Sequence, residues 1–222
     1  MLKPLSIILS LALVTACASS AEEESGAASE VTRTTGRTLV YECDRGDFIA
    51  RTGPGEIALW VEDRYAVLSQ ARSGSGARYE EGDMVFWSKG DEATLDLGDE
   101  RYRACKLNPR RVPWEDARRR MIDFRAIGNE PGWHVEVREG DSLLFVADYG
   151  ATKFLFRDFT SSHTGGQRVY SAQRDDQHLT VTASESECAD SMSGERFPLQ
   201  VEADLDGRRY QGCGMTLDHP WE

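Results

Sequence analysis

The chain has 222 residues, with 38 acidic against 26 basic side chains and a net charge of −12. That balance argues against nucleic acid as a partner and suits a cationic protein, which an acidic surface attracts by steering. Five cysteines are an odd count for an exported chain. With Cys17 set aside, Cys43, Cys105, Cys188 and Cys213 remain and allow three pairings.

The first sixteen residues hold one lysine, an apolar run from Leu5 to Val14 and small residues before Cys17. This is the layout of a secretory signal, residues 1–16, and the run is shorter than the roughly 20 residues of a membrane-spanning helix. The ending Val-Thr-Ala-Cys resembles a bacterial lipobox, which implies cleavage before Cys17 and acylation of that cysteine. Several acyl chains together anchor a protein stably to a membrane. Ala18 follows, similar to the sorting pattern of lipoproteins sent to the outer membrane, facing the periplasm. Residues 17–36 are mostly Ser, Ala, Glu and Thr and are expected to form a lipidated, disordered tether.

From Thr38 to Cys105 the pattern is strand-like, with short apolar or alternating runs (TLVYEC, DFIAR, EIALWV, YAVLSQA, DMVFWSK, EATLDL, RYRACKL) separated by turn residues about every ten positions. This predicts a small antiparallel β-barrel or sandwich over residues 37–109. Residues 110–123 break the pattern. Pro113, then Glu115 and Asp116, then Arg118 to Arg120 follow the order of a short helix that complements its own dipole. Residues 124–222 return to strand-like runs and predict a second all-β domain, with Glu130-Pro131-Gly132 placed as a type II turn. The fold class is therefore all-β, two small domains joined by a helical linker. Pairing Cys43 with Cys105 and Cys188 with Cys213 would staple each domain internally, contributing about 4 kcal/mol for the longer loop. The histidines His134, His163, His178 and His219 lack ligand spacing, and the cysteines lack a C-x-x-C, so neither a metal nor a cofactor beyond the lipid is expected.

The candidate chemistry lies in RSGSGARYEEGDMVFWSKG, residues 72–90. Ser75 sits in a glycine-rich loop and Lys89 at a strand end. A Ser–Lys hydrolase needs a neutral, desolvated lysine, whereas Asp91 and Glu92 beside Lys89 favour the charged form. S-x-x-K and nucleophile-elbow patterns are absent from the sequence, so the chain is not read as an enzyme. Taken alone, the serine and lysine read as an ordinary hairpin loop and a solubilising charge.

The stretch from Tyr41-x-Cys43 through SGSGARY, FWSKGDEATL and Cys105 resembles the membrane-bound and periplasmic inhibitors of c-type lysozyme, the MliC/PliC family, over residues 39–107. The resemblance implies an eight-stranded antiparallel barrel closed by its disulfide, with c-type lysozyme as partner. It also implies that Ser75 and Lys89 insert into the lysozyme cleft. Gly74 and Gly76 would keep the loop slim, and Arg78 and a half-buried Tyr79 would support it from below. Glu80, Glu81 and Asp83 are expected to steer a basic target. Residues 124–217 resemble an uncharacterised domain of bacterial envelope lipoproteins. Its most conspicuous side chains are Asn129, Glu130, Trp133, Asp190, Ser191 and Ser193, read as a disulfide-pinned structural loop ahead of a sugar or peptide cleft. The competing function is a non-inhibitory envelope assembly lipoprotein that uses this C-terminal domain for a partner or ligand.

Overall fold

A computed structural model describes residues 36–217. The signal, Cys17 and the tether up to residue 35 lie outside the described residues, as does His219. Eight strands form the first unit: β1 (Thr38–Glu42), β2 (Asp47–Gly53), β3 (Glu56–Val61), β4 (Arg64–Ala71), β5 (Ala77–Glu81), β6 (Met84–Lys89), β7 (Glu92–Leu97) and β8 (Glu100–Leu107). Each pairs with its neighbour, and β1 pairs with β8, closing the barrel. Period-two alternation decides which side chains enter: in β3, Ile57, Leu59 and Val61 point inward and are buried. The interior is filled by Tyr41, Phe48, Phe86 and Tyr102 packed edge-on and stacked, with Phe48 and Phe86 centroids 5.9 Å apart at 87°. It is a packed core, not a cup. The Cys43–Cys105 disulfide ties the end of the first strand to the last.

The second unit has nine strands: β9 (Phe124–Asn129), β10 (Gly132–Arg138), β11 (Ser142–Ala147), β12 (Thr152–Phe156), β13 (Phe159–Thr164), β14 (Gln167–Arg174), β15 (Gln177–Ala189), β16 (Arg196–Leu205) and β17 (Arg208–Thr216). All its ladders are antiparallel, including β17 against β9. With nine strands, that closure requires β12 and β13 to run the same way. Only Arg157 and Asp158 separate them. They are the two halves of one bent strand, the first zipped to β11 and the second to β14. The sheet thus curls into a nearly closed ring of eight staves, one of them bent. Arg174 reaches across the gap, donating to the Leu155 carbonyl at 2.9 Å and lying over the Phe156 ring. Phe124, Phe145, Phe156, Tyr170 and Tyr210 fill this interior as well.

The segment read as a linker is a packed element. Helix α1 (Val112–Arg119) carries Pro at its start, acid in its first turn and Arg118 and Arg119 in its last, as its dipole prefers. Trp114 lies 4.9 Å from Phe197 and packs with Ala117, Ile122, Cys213 and Leu217 on the outside of the second barrel. On its other side Asp116 accepts from Thr38 at 2.7 Å, Arg51 donates to Thr38 at 2.9 Å, and Arg111 pairs with Asp47. The helix therefore joins the second barrel to the β1–β2 wall of the first. Below it Glu136 is buried between Arg125 and Arg120, and the Arg125 guanidinium sits 5.5 Å over Trp114. Burial raises the pKa of Glu115, with Arg118 and Arg111 pulling the other way.

Two local expectations are corrected. The Glu130–Pro131 bond is cis, and Asn129 pairs with Gly132, so Pro131 occupies the third position of a two-residue hairpin turn. That is the type VI arrangement, not type II. Tyr79 is 8% exposed and belongs to the barrel core, because position 79 of β5 faces inward opposite Phe86.

Candidate functional site

The β4–β5 loop, residues 72–76, and the end of β6 open at the same rim of the first barrel. Ala77 pairs with Ser88, so continuing the register brings the loop beside Lys89. Ser75 and Lys89 are both exposed. A Cβ added to Gly76 would lie 3.2 Å from the Lys89 Cβ, which places the two candidates one residue apart in space.

The loop is held, not loose. Gly76 has φ +69°, and its Cα approaches the Ser88 carbonyl so closely that any Cβ would overlap that oxygen. Glycine is required here by both the left-handed backbone and the contact. Gly74 differs: its φ is not positive and an added Cβ would meet nothing. The Ser75 carbonyl accepts two bonds, from Ser73 Oγ at 2.5 Å and from the Trp87 indole Nε1 at 2.9 Å. These bonds engage the backbone of Ser75. Arg78 does not reach the loop; its guanidinium pairs with Glu80 at 3.0 Å along the same strand.

Lys89 lies opposite Glu92, Glu92 opposite Lys106, and Lys106 opposite Glu42. Alternating charges thus run across four strands beside the loop. Glu81 and Asp83 belong to the other rim, at the β5–β6 turn. They are separated from the loop by the length of β5, roughly 15 Å at about 3.3 Å per residue. Any attraction they exert on a partner at the loop acts from a distance and is screened by salt.

Of the side chains singled out in the second barrel, Asn129, Glu130, Asp190 and Ser191 line one depression beside the Cys188–Cys213 disulfide. Trp133 is buried, stacked on Phe145, with its indole donating to the Gln211 carbonyl at 3.1 Å. Asp190 is buried and accepts from Ser193 N and Oγ at 2.7 Å, from Met192 N at 3.1 Å and from Asn129 Nδ2 at 2.7 Å. Burial alone would raise its pKa, but these bonds outweigh it and hold the carboxyl below the usual range. Asn129 also donates to Ser191, while Glu130 is exposed in the hairpin turn. The Cys188–Cys213 disulfide ties the strand before this loop, β15, to β17. His134 is half-buried, while His163 and His178 are exposed. Among the described residues no group of His, Cys, Asp or Glu is arranged to hold a metal.

The residue that the sequence reading did not single out is Trp87. Its place two residues before Lys89 on β6 puts both on the outer face, and that spacing was legible in WSK.

Residues 41–103 match the family model described as membrane-bound lysozyme-inhibitor of c-type lysozyme, MliC. The membrane-bound lysozyme inhibitor of C-type lysozyme of Escherichia coli strain K12 is 45% identical over 60 residues, which are 26% of this chain and 55% of that protein. The chain thus spans just over half the length of that curated relative. A crystal structure of Pseudomonas aeruginosa MliC in complex with hen egg white lysozyme is 29% identical, and the match covers 33% of this chain and 82% of that one. Its TM-score is 0.27, too low to carry a geometric argument. On the sequence match, the segment 41–103, and with it most of the first barrel, belongs to the MliC family.

Proposed function

We propose that this chain is an envelope lipoprotein, anchored through Cys17, that inhibits c-type lysozyme by inserting Ser75 and Lys89 into the enzyme's cleft. It acts by binding and not by catalysis. The observation that carries the reading is the joint exposure of Ser75 and Lys89 at one barrel rim, on a loop whose backbone is fixed to the strand that bears the lysine. Membership of residues 41–103 in the MliC family supplies the target class.

The chemistry suits the target. A lysozyme works with two carboxyl groups flanking the scissile bond. An ammonium offers three donors, and a hydroxyl one donor and two acceptor sites. Charge-assisted bonds from these groups to the carboxyls would contribute about 1.5–3 kcal/mol each and occupy the place of the sugar. The second barrel is joined to the β1–β2 wall. In a ring of eight strands β5 lies across from β1, so the loop and the helix attach to different walls of the first barrel.

The test is peptidoglycan lysis by a c-type lysozyme in the presence of the purified protein, beside Ser75→Ala, Lys89→Ala and the double variant. Inhibition by the parent, weakened at least tenfold by either single change and abolished in the double, is the expected result. A folded, disulfide-bonded parent that leaves several c-type lysozymes fully active would refute the reading.

A further inference from the structure

We propose that Trp87 is a positioning residue that sets the geometry of the inhibitory pair by tying the Ser75 backbone to the strand carrying Lys89. This rests on the inhibitor reading above. Three features lead to it. The Trp87 indole Nε1 donates to the Ser75 carbonyl at 2.9 Å. The same side chain, on the outward face of β6, lines a shallow depression with Lys89, Ala93, Thr94, Cys105 and Lys106. One ring thus contacts the loop through its N–H and borders the Lys89 side with the rest of its surface. Finally, Gly76 is already pressed against the Ser88 carbonyl, so the loop has a steric stop on one side of Ser75 and a hydrogen bond at Ser75 itself.

The consequence is a division of labour within Ser75. Its carbonyl is spent on internal bonds from Trp87 and Ser73, which leaves the Oγ as the group offered to a partner. Without the indole N–H the loop keeps its glycines but loses the tie that fixes where that hydroxyl points. An untied loop must be ordered when the partner binds, and that ordering weakens binding.

Trp87→Phe tests this, since it retains an aromatic ring and removes the donor. Inhibition should weaken about five- to tenfold, the size of one lost hydrogen bond in a binding site. The decisive readout is a double-mutant cycle. In a Ser75→Ala background the cost of Trp87→Phe should shrink to less than about twofold, whereas in a Lys89→Ala background it should persist. A tryptophan that merely stabilises the barrel would cost the same in both backgrounds, and that result would overturn the proposal, as would a Trp87→Phe protein that inhibits like the parent. A second measurement is independent of lysozyme. Backbone amide order parameters at Ser75 and Gly76 should fall from about 0.85 to below about 0.6 in Trp87→Phe, with the barrel strands unchanged. If the parent does not inhibit at all, the functional reading fails while this measurement still decides the tie: unchanged order parameters refute it, and a selective drop upholds it.

Discussion

Replacing Gly76 by alanine separates a loop built to a fixed shape from one that is merely small. The residue adopts φ +69°, where a side chain costs roughly 1–2 kcal/mol. The new Cβ would also overlap the Ser88 carbonyl oxygen. That oxygen cannot retreat freely, because Ser88 is registered against Ala77 in the β5–β6 ladder. The loop must move instead, and the bond from Trp87 to the Ser75 carbonyl goes with it, at about 1 kcal/mol more. The total is about 2–3 kcal/mol, which for a chain of this size lowers the melting temperature by roughly 5–10 °C. Inhibition of lysozyme should fall more than tenfold, since Ser75 is displaced from Lys89. Gly74→Ala is the control: its backbone is unstrained and its Cβ meets open space, so its melting temperature should match the parent. The assays are a thermal melt followed by circular dichroism and a peptidoglycan lysis titration. If Gly76→Ala melts and inhibits like the parent, the loop is not held as argued.

Glu136→Gln leaves Arg125 buried beside Trp114 without its counter-charge and should destabilise the protein by about 3–5 kcal/mol in a denaturant titration, with the double variant Arg125→Met/Glu136→Met recovering much of the loss. Replacing Cys43 and Cys105 by serine opens a 62-residue loop and should lower stability by about 4 kcal/mol, read as an earlier urea midpoint. Burial, aided by the Arg125 charge, pushes the His134 pKa down to about 4 from its ordinary 6.5. The unfolded chain therefore binds the extra proton between those values, so stability should fall as pH drops from 6.5 to 4 and change no further through this group below that. Partial exposure limits the loss to about 2 kcal/mol, and burial of Glu115 opposes part of it, so the comparison of melts with His134→Gln isolates the histidine.

Strand positions in the first barrel were legible because period-two alternation and Gly–Asp turns agree at nearly every step, as in EIALWV and EEGD. The same pattern left Tyr79 ambiguous: a tyrosine after Arg78 reads as amphipathic, and only the pairing with Phe86 commits it to the interior. Ser75 and Lys89 could be named from sequence, yet their approach depends on the register between β5 and β6, which local patterns do not encode. Trp87 illustrates the same limit. Its indole bond spans twelve residues and is invisible until the hairpin closes. In the second half KFLFRDF, residues 153–159, reads as a single run across the bend at Arg157 and Asp158, because a bend changes partners without interrupting the apolar pattern. The helix could be placed by its charges, but its burial of Trp114 against the outside of the second barrel is a tertiary fact.

The chain enters the first barrel at Gly36, packed on Thr52 of β2, and leaves it past β8 toward the helix. Strand directions set entry, exit, the β4–β5 loop and the end of β6 at one rim, and the Leu107 amide at the exit donates to the Asp91 carbonyl at 2.8 Å, two residues from Lys89. A load on the exit from β8 is thus carried, through that bond and the pairing of Glu92 with Lys106, to the strand end that bears Lys89.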